Sequence, residues 1–253
     1  MELGGNDPLV LLDDFDPTPE ALEAIIWASF LNAGQVCMAA KRLIVPTALL
    51  PRFTECYVEV ARAIFRLGDP IDPATTMGPL VNAAACERID ALAQSSRRDG
   101  GTVIDLICEH NAPPDIGYFV VPRLVTGLDP SARLVCEEQF GPILPIIGYR
   151  DEAEMLRLAN HGDLALSASV WTPDIERGWV VAGQLRSGLA LVNAHNRAGF
   201  SFDLPFGGLG QSGFGREYGD EGLLEYAAVQ SLHMPAQGNA ANAYPLPACE
   251  AAG

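Results

Sequence analysis

Short apolar runs that alternate with longer segments of helical period constrain this chain more than any other feature. The runs LVLL (9–12), RLIV (42–45), IIGY (146–149), LSASVW (166–171) and GLALV (188–192) have the length and side-chain character of buried strands. Thr18 opens a helical segment with Leu22, Ile25, Ile26, Ser29 and Phe30 on one stripe. Thr47 is expected to cap another, reaching about Arg66, with Leu50, Phe53, Tyr57, Val60 and Ile64 aligned. A third, ending near the Gly100-Gly101 pair, places Val81, Ala85, Ile89 and Leu92 inward. A fourth begins at Asp151, and a fifth follows Pro173 and Asp174 with Ile175, Trp179, Ala182 and Leu185 at core spacing. Two more runs, 102–107 and 119–126, read as strands around a loop holding Pro113 and Pro114. Strands and helices alternating at this length predict an α/β fold: an open, mainly parallel sheet flanked by helices.

Composition narrows the functional classes. A chain of 253 residues, 49% hydrophobic and 19% charged, has ample length for a core. Its formal net charge of −16 argues against nucleic acid or an anionic membrane as partner, because both need a positive face that displaces counterions. No apolar run reaches the roughly 20 residues that span a bilayer. Glu2 directly after Met1 is unlike the start of a secretory signal, so the cytoplasm is the expected compartment. Cys37, Cys56, Cys86, Cys108, Cys136 and Cys249 form no Cys-x-x-Cys pair, and the four histidines are scattered. Neither a zinc site nor a disulfide framework is expected, and reduced thiols fit a cytosolic protein. Residues 1–233 are expected to form the folded domain. Residues 234–253, rich in alanine, proline and asparagine without periodicity, read as a disordered tail.

The stretch FLNAGQVCMAAK (30–41) joins a helical segment to a strand, where α/β proteins tend to carry chemistry. Gly34 permits close backbone approach, and Gln35 and Val36 are expected to lead into a short helix. A helix start at Cys37 would lower its thiol pKa and make it the most reactive of the six cysteines. Alone, a cysteine reads as a small buried hydrophobe. The chain also opens ELGGNDP, a carboxylate beside a glycine pair, which alone reads as an exposed acid in a turn.

Together ELGG (2–5), GQVC (34–37), EEQFGP (137–142) and PFGGLGQSGFGRE (205–217) resemble, in kind and order, the motifs of the aldehyde dehydrogenase superfamily. The resemblance implies NAD- or NADP-dependent oxidation of a small-molecule aldehyde to a carboxylic acid. Cys37 would be the nucleophile that forms a thiohemiacetal and then a thioester. Its backbone N–H would donate to the oxyanion, and Glu2 would be the general base for the hydrolytic water. Glu138 resembles the glutamate that accepts hydrogen bonds from the nicotinamide ribose, and Phe140 the aromatic beside the nicotinamide. Asn193, His195, Asn196 and Arg197 fall where the family lines its aldehyde entrance. The glycine-rich segment 205–217 is expected to shape the wall of the site and subunit contacts, with Arg216 and Glu217 as structural partners. The segment ending near Leu232 would form a strand that pairs with another subunit, making a homo-oligomer. Asn6 and Gly210 stand where lysine is frequent in the family.

The resemblance covers the C-terminal, catalytic half of the family's length, without the dinucleotide-binding domain. The expected partners therefore include a complementing cofactor-domain chain, and binding of NAD or NADP by this chain alone is doubtful. Two other classes stay open: a non-enzymatic relic or subunit-interaction protein, and a cofactor-free cysteine esterase built on Cys37 and Glu2.

Overall fold

The computed structural model describes residues 1–108 and 116–234. The tail from 235 onward, and Pro113 and Pro114 of the proline-containing loop, lie outside the described residues. The main sheet contains β1 (Asp7–Leu11), β2 (Ala40–Pro46), β3 (Thr102–Asp105), β4 (Arg123–Thr126), β5 (Ile143–Tyr149), β7 (Ser167–Trp171) and β8 (Leu189–Val192). A short ribbon pairs β6 (Leu164–Ala165) with β9 (Leu209–Gly210). The strand order of the main sheet is β3-β4-β5-β2-β1-β7-β8, and every pairing is parallel except β3 with β4. This is the open, mainly parallel α/β sheet that the alternation of runs predicts.

β1 and β2 are buried along their whole length because helices cover the sheet. α1 (Pro19–Phe30) packs against α2 (Leu50–Ile64) and β2, α5 (Glu152–Ala159) against β1, β2 and β5, and α6 (Ile175–Ala182) against β7 and β8. α3 (Ala83–Arg98) lies by β3 and by the single turn α4 (Arg133–Cys136); α7 (Gly219–Leu224) closes the described chain. Thr18, Asn82, Asp151 and Asp174 each cap a helix through a side-chain oxygen, satisfying N–H groups that the first turn leaves free.

Three expectations at helix edges fail for local reasons. Thr47 caps nothing: its hydroxyl bonds the Tyr149 carbonyl, and α2 begins later, at Leu50. Val81 precedes α3 and is exposed. On α6 the inward face is Gly178, Val181 and Ala182, whereas Ile175 and Trp179 are exposed, Trp179 at 68%. Gly178 is the cause, since a Cβ there would come 2.8 Å from Val192. Only a bare backbone lets the helix settle onto β8, and that contact turns the larger apolar side chains outward.

Residues 225–234 form no strand, and Tyr226, Val229 and Leu232 are exposed. A strand needs a ladder partner, and the segment has none within the described residues. No helix among the described residues is long and apolar enough to cross a membrane.

Candidate active site

Because β5, β2 and β1 are adjacent and parallel, the segments that lead into them arrive at one edge of the sheet. Glu138 stands shortly before β5, Cys37 before β2 and Glu2 before β1. Strand adjacency thus gathers residues that are far apart in the sequence. Open parallel sheets commonly bind ligands beyond their carboxyl ends. Here the candidate residues cluster at the amino ends.

Cys37 is delivered by a sharp reversal. After α1, a 3-10 turn (Leu31–Gly34) carries Asn32, Ala33 and Gly34 at φ of 53°, 56° and 75°. Such left-handed geometry costs a non-glycine residue about 1–2 kcal/mol. At Gly34 a Cβ would also fall 2.6 Å from the Gly141 carbonyl oxygen, so the position demands glycine. No helix follows. Cys37 lies in a turn that feeds β2 directly, which corrects the expectation of a helix start there.

The electrostatics change accordingly. With no helix dipole at the sulfur, burial pushes the Cys37 thiol up to about 11, and Glu2 adds to the shift. The Met38 N–H and Lys41 pull weakly the other way. Cys37 Sγ donates to Glu2 Oε1 at 3.4 Å. The expectation of an unusually acidic thiol rested on the helix start and falls with it. What the geometry offers instead is a protonated thiol in contact with a carboxylate.

Glu2 is held by the glycine-rich segment. Leu3 N–H donates to the Ser212 carbonyl at 3.0 Å, Phe214 N–H to the Met1 carbonyl at 3.0 Å, and the Ser212 hydroxyl to the Gly4 carbonyl at 2.7 Å. Ser212 Oγ also accepts from Ala165 N–H at 2.8 Å, so one buried hydroxyl ties the Glu2 segment to the lead-in of β7. Arg216 donates to the carbonyls of Gly208 and Gly215 within that segment, a structural task.

The Glu138 carboxylate reaches into the same cluster. Its Oε1 accepts from Gly5 N–H at 3.1 Å and from Lys41 Nζ at 3.3 Å. Arg88 donates to the Glu138 carbonyl and pairs with Glu137 at 3.6 Å. The glycine pair makes room for all this. A Cβ on Gly4 would lie 2.1 Å from Glu138 Oε2, and one on Gly5 would lie 2.6 Å from the Cys37 carbonyl oxygen. Phe140 follows at φ 48° and is 43% exposed, its ring centroid 5.6 Å from Lys41 Nζ.

The structure brings Glu2, Cys37, Glu138 and Phe140 into one neighbourhood and ties the side chains of Asn193, His195 and Asn196 to the scaffold, leaving Arg197 exposed. Asn193 exchanges hydrogen bonds with the backbone of Thr172. His195 is buried against Ser169, Nδ1 to Oγ 2.7 Å, and the Asn196 amide donates to the Ala28 carbonyl. Burial and Lys41 push the His195 pKa down to about 3, so the ring is neutral. The entrance role expected for Asn193, His195 and Asn196 has no counterpart in these contacts.

Sequence reasoning missed Asp7, Lys41 and Arg42. The signal was available: two adjacent cations beside an apolar strand run, and an acid at the head of another. Arg42 is fully buried and donates to the carbonyls of Asn6, Leu158 and Ala159, closing the C-terminus of α5. Asp7 accepts from Ser167, the first residue of β7. The departures from family usage are also accommodated. The Asn6 amide donates to the Val135 carbonyl at 2.9 Å, and Gly210 sits at φ 59° where a Cβ would meet the Asp163 carbonyl at 2.6 Å.

Residues 1–232 match the sequence profile of the aldehyde dehydrogenase family. A betaine aldehyde dehydrogenase of Brucella anthropi is 37% identical over 238 residues, covering 92% of this chain and 47% of that protein. Its counterpart in Brucella melitensis is 36% identical over the same shares. The crystal structure of betaine aldehyde dehydrogenase from Staphylococcus aureus in complex with NAD+ superposes with a TM-score of 0.81 at 32% identity, over 89% of this chain and 44% of that one. This chain spans about half the length of the curated relatives it matches. It belongs to the aldehyde dehydrogenase family.

Proposed function

We propose that this chain is the catalytic half of an NAD- or NADP-dependent enzyme that oxidises an aldehyde to a carboxylic acid. The observation that carries the reading is the 3.4 Å contact between Cys37 Sγ and Glu2 Oε1, made beside the partly open Glu138 and Phe140. Glu2 accepts the thiol proton as the sulfur adds to the aldehyde carbon. The Cys37 N–H donates to the oxyanion of the resulting thiohemiacetal. When bound, the nicotinamide supplies the acceptor for the hydride that leaves this intermediate. The thioester left on Cys37 is then hydrolysed by a water from which Glu2, having released its first proton to solvent, takes another. The carboxylic acid departs and the thiol is restored.

The residues present fit the nicotinamide end of such a cofactor. Glu138 keeps a partly exposed carboxylate able to accept from ribose hydroxyls, with one oxygen already fixed by Gly5 and Lys41. Phe140, a large aromatic left open at the cluster, offers a face to a flat ring. Both contacts lie at one end of a long ligand. Holding hydride donor and acceptor together is an orientation effect that can be worth roughly 7–11 kcal/mol, and two contacts do not offset the freedom a large ligand loses on binding. Turnover therefore depends on a cofactor-binding portion of the family fold joined to this one. The exposed Tyr226, Val229 and Leu232 suit a segment that pairs with another subunit. The relatives named above make betaine aldehyde the first substrate to try.

Acylation with p-nitrophenyl acetate, followed by peptide mass mapping, tests the assignment on this chain directly. The acetyl group should appear on Cys37, and Glu2→Gln should slow its release by roughly a hundredfold or more. Acylation at another cysteine, or unchanged release in Glu2→Gln, would remove these residues from the mechanism. Aldehyde-dependent NADH formation should be absent with the chain alone and appear when the cofactor-binding portion of a relative is supplied.

A further inference from the structure

Lys41 has no task in the chemistry above, yet it touches the Cys37 turn, Glu138 and Phe140. Its side chain is 1% exposed and runs back from β2 beneath the Cys37 turn. The ammonium donates to the Val36 carbonyl, to the Cys37 carbonyl at 3.1 Å and to Glu138 Oε1 at 3.3 Å. Those three acceptors match its three N–H donors. One cation therefore braces the nucleophile turn from behind and neutralises the carboxylate in front of it. Titratable and charged groups face this knot from each neighbouring element: Glu2 from the N-terminal segment, Asp7 from β1, Arg88 from α3, Glu138 from the lead-in to β5, and His195 after β8.

We propose that Lys41 is a positioning residue that couples the Cys37 thiol to Glu138, so that the charge on Glu138 sets how readily the thiol ionises. The physical reason is the balance of charge within a buried site. Glu138 cancels much of the field that Lys41 would otherwise exert on the sulfur. Neutralising Glu138 leaves the ammonium uncompensated and favours the thiolate. Removing Lys41 leaves the Glu2 carboxylate at the sulfur, and Glu138 behind it, without their shared cation and disfavours it. Hydrogen bonds donated to Glu138 by a ligand would draw the carboxylate's charge away from Lys41 and so prime Cys37. The inference rests on the proposed function for its role in catalysis, because that reading places a ligand at Glu138; the coupling itself belongs to the side chains alone.

The test is iodoacetamide alkylation of Cys37 at about pH 8, followed by peptide mapping with Cys56 as internal reference. Well below the thiol pKa the rate follows the thiolate fraction multiplied by access to the sulfur. Lys41→Gln keeps an amide donor for the backbone carbonyls but drops the charge, and Glu138→Gln keeps the shape of its partner. Lys41→Gln should slow alkylation about three- to tenfold, and Glu138→Gln should speed it by a similar factor. The double variant should return toward the starting rate. A merely structural Lys41 would loosen the turn and speed alkylation in both variants, most of all in the double variant, and that result overturns the proposal. If Lys41→Gln fails to fold by circular dichroism, Glu138→Gln is set against Glu138→Asp, which keeps the charge: speeding confined to Glu138→Gln upholds the proposal, and equal rates in the two overturn it. The acylation experiment on Cys37 is independent, so the proposed function can fail while the coupling stands, and the reverse.

Discussion

Asparagine at position 7 should change how acidity acts on the stability of this fold. Asp7 is buried, its Oδ2 accepts from Ser167, and its Oδ1 has no hydrogen-bond partner among the described residues. Burial pushes its pKa from 3.8 up to about 7, against the pull of Lys41, Ser167 and Arg42. Between about pH 4 and 7 the folded chain then holds a proton that the unfolded chain has lost. Stability falls as pH rises through that window, and the cost is complete above pH 7. At 1.36 kcal/mol per pH unit this amounts to about 4 kcal/mol. His195 works in the opposite sense. Its pKa is pushed from 6.5 down to about 3, so the unfolded chain binds the extra proton between those values and stability rises with pH, again by about 4–5 kcal/mol. The two slopes largely cancel between pH 4 and 6.5. Asp7→Asn still accepts from Ser167 but cannot ionise, so its advantage over the wild type should grow from near zero at pH 4 to about 4 kcal/mol at pH 8. His195→Gln should show the complementary change in slope, whatever offset its altered packing adds. Urea unfolding at half-unit pH steps measures both. A stability difference between Asp7→Asn and wild type that does not vary with pH would refute the buried, raised carboxyl.

Two further outcomes follow from contacts in the same cluster. The glycine pair should respond unequally to alanine. Gly4→Ala meets the end of the Glu138 side chain, whereas Gly5→Ala meets the backbone oxygen of Cys37. Gly5→Ala should cost about 1–3 kcal/mol in urea unfolding and Gly4→Ala clearly less, and equal costs would contradict the packing described. Arg42→Met removes the donor from three buried carbonyls and opens the C-terminus of α5. It should lose about 3–5 kcal/mol by the same measurement; a loss under about 1 kcal/mol would mean the guanidinium is not the pin it appears from its bonds.

What could be read in the sequence divides along a physical line. Strands and helices announce themselves through burial of apolar groups at a local period, and β1, β2, β5, β7 and β8 overlap the runs that predicted them. Features set by a single non-local contact did not. The inward face of α6 is chosen by Gly178 against Val192, which no periodicity of apolar residues reveals. Thr47 has the residue type of a cap but spends its hydroxyl on Tyr149, a partner far along the chain. The turn at Cys37 depends on three consecutive left-handed residues, and Ala33 between Asn32 and Gly34 gives no sign of that conformation. Buried charges were the largest blind spot, because an apolar-run reading treats Lys41 and Arg42 as the polar edge of a strand rather than as two of the largest fully buried side chains.

The candidate site follows the same logic one level up. Each motif is local: a carboxylate before a glycine pair, a cysteine after a left-handed turn, a glutamate two residues before an aromatic. What makes them one site is that β5, β2 and β1 lie side by side and run in the same direction, a fact about strand order that no single motif contains. Parallel neighbours bring their lead-in segments together just as they bring their exits together, so a sheet of this kind has two ends at which distant residues can be collected. At the amino ends the collected segments have not yet entered the ladder, and their backbone groups are free to bond across to one another. Gly5 N–H on Glu138 is a bond of that sort, and the side chains of Lys41 in β2 and Ser212 in the glycine-rich segment take up the Cys37 and Gly4 carbonyls. These bonds are also why Glu2 and Cys37 meet at 3.4 Å without either belonging to a helix or a strand of the main sheet. A change that shifted the register of β1 against β2 would move Glu2 along the sulfur by a residue's rise, about 3.3 Å, and part the pair while leaving the core composition untouched.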